Sequence, residues 1–293
     1  MPWLQAQLTI DKGRAPLIEL LFENLGALAV TMEDAGDEPM LEPSPGETPL
    51  WQATRITGLF EGDTDADSLR STINQALAAD VSRHLVLERL ADQDWERAWM
   101  DQFHPMQFGR RLWIRPSGNT ITQPDAVIVD LDPGLAFGTG THPTTALCLR
   151  WLDGQDLHGR TVIDFGCGSG VLGIAALKLG AARVVAVDHD PQAVLATRDN
   201  AARNAVDDRI EVLHSDGFAD HNADLVMANI LANVLITLAP KIQRLVKPGG
   251  TLVMSGVLQA QADDVMRAYA DSLDFRAIQT QDDWVLLHGS KRP

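Results

Sequence analysis

Cysteine occurs only twice in the 293 residues, at Cys148 and Cys167, which excludes a disulfide framework and any cysteine-based metal spacing. Such scarcity suits a reducing compartment, and the cytoplasm is the expected location. The start, Met1-Pro2-Trp3-Leu4-Gln5, has no basic region running into an apolar core and does not read as a secretory signal. Long hydrophobic runs are missing too. The stretch from Leu225 to Ala239 is broken by Asn229 and Asn233 and is too short to span a bilayer. Basic residues are scarce: 24 Lys and Arg face 40 Asp and Glu, for a net charge of −16. Residues 1–100 hold 18 acids against 7 bases, a net of −11, which leaves −5 for the other 193 residues. An acidic first third repels nucleic acid and attracts basic proteins. The same charge serves solubility alone equally well, and composition does not choose between the two.

What is present is a chain 45% apolar and long enough for a full α/β core with a second, smaller domain. Its organising stretch is Thr161 to Asp188. Thr161 to Phe165 is a short β-branched run that predicts a buried parallel strand. Gly166, Gly168 and Gly170 follow, then an apolar helix from Val171 to Leu179 closed by Gly180. Arg183 to Val187 predicts a second strand, with Asp188 at its carboxyl end. Strand, glycine turn, helix, strand and acid make a nucleoside-binding βαβ unit, in which the acid accepts from both ribose hydroxyls. Two cofactors satisfy that pattern. Gly168 to Gly173 fits the dinucleotide spacing, so a nicotinamide-dependent oxidoreductase is one reading. Asp164, two residues before a glycine run that starts early at Gly166, favours S-adenosylmethionine, whose ammonium an acid there can receive. In these residues the chain resembles the class I methyltransferases. A catalytically silent adenosyl-nucleoside binder is the third reading.

Before this unit, residues 1–92 predict a βαββαβ module. Its strands are Leu4–Ile10, Ala27–Met32, Trp51–Phe60 and Leu85–Leu90; its helices are Ala15–Leu25 and Asp65–Ala79. That order is ferredoxin-like. Leu17, Leu20, Leu21 and Leu25 form the expected inner face of the first helix, and Asp34 to Pro49 reads as a loop. The module carries no catalytic constellation and reads as a recognition domain. Residues 93–110 read as a helical linker, with Trp95, Trp99 and Phe103 as an aromatic stripe. From residue 111 to 293 runs the catalytic domain. There Leu112–Arg115 and Ala126–Leu131 are expected to pair antiparallel. Asp132 to Thr145 is a loop rich in glycine and hydroxyls that feeds a helix N-terminus, where backbone and threonine donors meet a polar ligand. His142 is either a general base or the donor of a structural hydrogen bond. Beyond Asp188, Ile210–His214, Ala223–Ala228 and Thr251–Ser255 predict further strands, with Lys247 to Gly250 a turn before the last. Helices are expected over Pro191–Ala205, Val234–Leu245 and Gln259–Leu273, and Phe275–Thr280 pairs with Trp284–His288 as a terminal hairpin. Asn229 lies just past a strand's carboxyl end, where this architecture puts substrate-facing groups.

The loop Leu135-Ala136-Phe137-Gly138-Thr139-Gly140-Thr141-His142-Pro143-Thr144-Thr145, with Asp164 to Gly170 and Ala228-Asn229-Ile230-Leu231, is similar to the ribosomal protein L-eleven methyltransferases, the PrmA family. The resemblance runs over essentially the whole chain. It implies a Rossmann-like class I methyltransferase domain, mostly parallel with an antiparallel terminal hairpin, behind a ferredoxin-like α+β domain. It also implies methyl transfer from S-adenosylmethionine to the α-amine and lysine ε-amines of one basic ribosomal protein. Nucleic acid and membrane are not expected partners, and a monomer is expected. By position the cofactor contacts fall on Thr145, Gly166, Asp188 and Asn229, and those of class I enzymes generally add Asp164, Gly168, Gly170 and, for the adenine amino group, Asp216. Asn229 is also the candidate for positioning the substrate amine, and the resemblance assigns no general base or metal.

Overall fold

The computed structural model describes residues 3–36, 50–90, 104–132, 142–219 and 221–293. The chain divides into two compact units, Met1–Trp95 and Glu96–Pro293. The expected helix over Asp94–Phe103 and most of the glycine-rich loop, residues 133–141, lie outside the described residues.

In the first unit, strands β1 (Trp3–Asp11), β2 (Ala29–Asp34), β3 (Ala53–Glu61) and β4 (Val86–Leu90) form an antiparallel sheet in the order β2-β3-β1-β4. Helices α1 (Ala15–Asn24) and α2 (Ala66–Ala76), with the single turn α3 (Ala79–Ser82), complete it. The order is that of the expected ferredoxin-like sandwich. Alternation along β1 puts Leu4, Ala6, Leu8 and Ile10 in the core, where they meet Ile18 and Phe22 of α1. The inner face of α1 is therefore Ala15, Ile18 and Phe22, while Leu17 and Leu20, expected to point inward, are exposed. Asp65 caps α2, accepting from the Asp67 and Ser68 amides at 3.0 and 3.3 Å.

The second unit opens with β5 (Met106–Phe108), β6 (Leu112–Arg115) and β7 (Val127–Asp130) in one small sheet. Two expectations fail here. Residues 106–108, read as the end of a helical linker, are a strand antiparallel to β6. The pair β6 and β7, expected antiparallel, is parallel. The β5–β6 turn is tied to helix α4 (Pro143–Asp153) by Asp153, whose carboxylate is 5% exposed and accepts from the Arg110 and Leu112 amides at 2.5 and 3.1 Å. Gly109, at φ +73°, passes so close to that carboxylate that a Cβ would overlap it.

The main sheet runs β10-β9-β8-β11-β12-β15-β13, with β14 on the same edge of β15 as β13. Its strands are β8 (Thr161–Phe165), β9 (Arg183–Asp188), β10 (Ile210–His214), β11 (Ala223–Asn229), β12 (Val246–Leu258), β13 (Leu273–Phe275), β14 (Gln279–Gln281) and β15 (Trp284–Lys291). The first five are parallel and β15 is antiparallel to β12. Helices α4, α5 (Val171–Lys178) and α6 (Pro191–Arg203) supply one apolar layer. Helices α7 (Ala232–Thr237), α8 (Ala239–Leu245) and α9 (Ala262–Tyr269) supply the other. The helix expected over Val234–Leu245 is two, parted at Leu238 with Pro240 in the first turn of the second. The turn expected over Lys247–Gly250 is absorbed into β12, where Gly249 takes φ +73°. At the amino ends of the strands, burial raises the Asp224 carboxyl, but the Thr161 amide and hydroxyl and the Lys247 ammonium outweigh it and hold it at about 2. The chain leaves β8 toward β9 and β10, then returns to β11 on the other side, so a crevice opens at the carboxyl ends of β8 and β11.

Candidate active site

That crevice collects most of the expected residues. Gly166, Gly168 and Gly170 all take positive φ (+77°, +54°, +77°), a path that side chains resist. The Gly166 and Cys167 amides both donate to the Val187 carbonyl, at 2.8 and 3.1 Å, which folds the loop back over β9. From α6, the Thr197 hydroxyl donates to the Gly168 carbonyl and the Asn200 amide to that of Ser169, each at 2.9 Å. A Cβ at Gly170 would stand 2.6 Å from Thr197 Cγ2, so this glycine is required by space as well as by backbone. Sequence reading missed Thr197 and Asn200. The signal was there for Thr197: it is the polar member of the buried stripe Val194, Thr197, Ala201.

Asp188, at the end of β9, is 8% exposed. Its Oδ2 accepts from the Gly168 amide at 2.9 Å and its Oδ1 from the Asp190 amide at 3.0 Å. The acid and the glycine loop thus hold one another. An ionised carboxylate has about four acceptor positions, so capacity remains for two further donors. His189, 90% exposed in its side chain, lies with Nδ1 at 3.3 Å from Asp188 Oδ1. On the neighbouring strand His214 pairs in register with Asp188, and Asp216 follows in a 3₁₀ turn with its side chain 90% exposed.

Asp164 lies deeper than the other candidate residues. It is 1% exposed, enclosed beneath the loop, and its Oδ2 accepts from the Gly173 amide in the first turn of α5 at 2.9 Å. Its Oδ1 is the one buried side-chain oxygen or nitrogen among the described residues without a partner. Burial, and then the nearby Asp188 charge, push its carboxyl up to about 7 against the pull of the Gly173 amide. Through Oδ2 Asp164 anchors the first turn of α5 under the loop.

On the opposite wall, Asn229 ends β11 and its side-chain nitrogen lies 3.3 Å from Thr145 Oγ1, in the first turn of α4. His142 caps that helix through Nδ1, which faces the Thr144 amide at 3.4 Å and its hydroxyl at 2.8 Å. Its ring also packs edge-on against Trp284, 5.0 Å between centroids, and burial lowers its pKa. Of the two readings of His142 the structure supports the structural one. Both thiols, Cys148 and Cys167, are buried, and burial pushes them up, so neither is an ionised nucleophile. Among the described residues no cluster of His, Cys, Asp and Glu could hold a metal ion, and no helix is long and apolar enough to cross a membrane.

A parallel sheet in this order, the antiparallel strand β15 inserted between β12 and β13, and a glycine loop hydrogen-bonded to an acid on the adjacent strand define a class I S-adenosylmethionine-dependent methyltransferase. The comparisons are narrower. Residues 2–292 match the family described as Ribosomal protein L11 methyltransferase (PrmA). The chain is 53% identical to the ribosomal protein L11 methyltransferase of Aliivibrio fischeri (strain MJ11), over 100% of both chains. With that of Pseudomonas aeruginosa (strain LESB58) the identity is 51%, over 100% of this chain and 99% of the relative. The crystal structure of a ribosomal protein L11 methylase from Lactobacillus delbrueckii subsp. bulgaricus superimposes with a TM-score of 0.60 at 33% identity, over 65% of this chain and 100% of that one. The chain belongs to the ribosomal protein L11 methyltransferase family.

Proposed function

We propose that this chain methylates ribosomal protein L11, at the α-amine and at lysine ε-amines. The observation that carries the reading is identity of 53% with a relative named for that activity, across the whole of both chains. The residues present fit an adenosyl ligand. Asp188 keeps acceptor capacity for two ribose hydroxyls beside the Gly166–Gly170 loop, whose missing side chains let the ligand approach the backbone. Asp216, exposed two residues past the strand partner of Asp188, accepts the adenine amino group. The Thr145–Asn229 pair meets the amino-acid end. Asp164 contributes from below, through α5.

Bound S-adenosylmethionine supplies a methyl group that is already activated. The protein's share is to hold a neutral amine in line with it and to keep water out. Asn229 is the group we assign to that alignment. Removing the amine's proton at pH 7 costs roughly 1 kcal/mol for an α-amine and about 4–5 kcal/mol for a lysine, from reference pKa values. Among the described residues no side chain in the crevice is placed as a base: His142 is engaged at its helix and Asp164 is enclosed. Desolvation of the amine lowers its pKa without one. Residues 1–92 recognise the substrate protein, and the enzyme works as a cytoplasmic monomer without binding nucleic acid or membrane. The test is mass spectrometry of L11 incubated with the protein and labelled cofactor. Methyl increments on the N-terminus and on lysines are expected; unmodified L11 overturns the reading.

A further inference from the structure

Ile230 sits between the two halves of the crevice, and two glycines are shaped around it. Its Cγ2 lies against the Cα of Gly166, so closely that a Cβ there would overlap it. Its backbone lies against Gly256 of β12, where a Cβ would fall 2.5 Å from the Ile230 oxygen and 2.8 Å from its carbonyl carbon. Gly256 is at φ +80°, inside an irregular stretch where the β12–β15 register shifts between Met254 and Val257. One residue earlier, Ser255 pairs with Asn229 in register and is fixed by donating to the Val285 carbonyl at 2.9 Å. Ile230 itself is only partly buried, packed on the second core layer.

We infer that Ile230 is a positioning residue: its β-branch is the spacer that sets the distance between the cofactor loop at Gly166 and the amine-facing Asn229. This rests on the reaction proposed above and adds a determinant of its alignment. The backbone of Ile230 is held from behind by the bulged β12, so its side chain can only press forward, onto the loop. A methyl transfer needs its reacting atoms about 3–3.5 Å apart, and a misplacement of about 1 Å costs up to about a hundredfold. A contact one methyl wide between the two walls of the crevice is therefore on the scale that governs rate. Binding of the cofactor is assigned to Asp188 and Asp216, and the Gly166, Gly168 and Gly170 amides are engaged within the fold; Ile230 meets this loop at the Gly166 Cα.

The branch, not the bulk, is what matters on this account, and two conservative variants separate them. Ile230→Val keeps both γ-carbons and loses the terminal methyl. Ile230→Leu keeps the volume and loses the branch at Cβ. A residue that merely fills core tolerates leucine at least as well as valine. Both variants should fold, which thermal melting checks. We expect kcat for L11 methylation to stay within about twofold of wild type in Ile230→Val and to fall about tenfold or more in Ile230→Leu. Cofactor Kd should move by less than about threefold in either. In parallel, NMR should show the Gly166 amide and the Asn229 side-chain amide displaced in Ile230→Leu and unmoved in Ile230→Val. The resonances answer the question even if the substrate assignment is wrong, because they need no methyl acceptor. Wild-type protein that leaves L11 unmodified counts against the proposed function, not against the spacer. Equal resonances in the two variants, or a valine variant slower than the leucine one, overturn the inference.

Discussion

The two compact units keep their polar atoms in opposite places. Among the described residues the first unit buries one polar side chain, Thr54, and it is satisfied locally by the Trp51 carbonyl at 2.7 Å. The second buries nine, including the carboxylates of Asp153, Asp164 and Asp188. Among the described residues, every group whose pKa is displaced lies in the second unit, as do all the positive-φ glycines but Gly26. Exposed large apolar side chains do not divide this way: Leu17, Leu20, Leu28 and Val86 of the first unit and Leu195 of the second are all more than half exposed. Strain and buried charge gather where small molecules are handled.

The sharpest test of the contrast is Asp164. Its folded value of about 7 lies above the ordinary 3.8, so the folded protein holds a proton that the unfolded chain gives up. The contribution is fully present below pH 3.8 and lost as pH rises to about 7, on the order of 4 kcal/mol in all. Asp164→Asn, which cannot ionise, should flatten that part of the profile. Urea unfolding at pH 5 and pH 8 measures it, and identical pH dependence in both proteins would contradict the buried-carboxyl account.

Next in size is removal of the first unit. A chain beginning at Glu96 keeps β5 and both core layers of the second unit, and should bind cofactor within about twofold of the full chain. Its transfer to folded L11 should drop by about a hundredfold, some 3 kcal/mol. If it modifies L11 at the full-length rate, residues 1–92 are not the recognition domain.

Asp188→Ala should weaken cofactor binding by about 2–3 kcal/mol, roughly 30- to 150-fold. Calorimetry reads this directly, and unchanged affinity would remove the ribose assignment. Two glycines then compare the units by backbone alone. Gly26→Ala, at φ +91° with open space around it, should cost about 1 kcal/mol. Gly109→Ala meets the Asp153 carboxylate as well and should cost about 2 kcal/mol or more. Equal melting shifts would mean that the Asp153 clamp contributes nothing.

The smallest effect belongs to the acidic surface. Replacing Glu61, Asp63 and Asp67 by neutral residues, and Asp65 by Asn so that the α2 cap survives, should flatten the salt dependence of L11 association. Cofactor affinity should not follow. Equal slopes in both proteins would assign the acidity to solubility.

Much of this was legible beforehand because local chemistry and fold agreed. The β-branched run into Gly166, the acid at Asp188 and the helix opening at Pro191 each have a single structural use, and each is where it was expected. The failures have causes of one kind. The polar stretch 116–126 looks like a hairpin turn, but the three-residue strand Met106–Phe108 is the antiparallel partner of β6, and β7 lies parallel on its other edge. Leu17 and Leu20 were assigned inward because composition cannot tell a core stripe from an exposed one. The position of Asp164 near the glycines is visible in sequence, and its depth is not. Ile230 stands in the Ala228-Asn229-Ile230-Leu231 motif but its contacts carried no signal; its neighbours Gly166 and Gly256 lie 64 and 26 residues away along the chain.

The place of β15 has a consequence for how the protein is made. Residues 284–291 are the last of the fold to be synthesised, yet they lie inside the sheet, between β12 and β13. Until they emerge, β12 presents an unpaired edge and the buried Leu286 and Leu287 are missing from the two apolar layers. The first unit, whose four strands are complete by Leu90, can close while translation continues. The nascent chain therefore carries a finished first unit well before the crevice of the second exists.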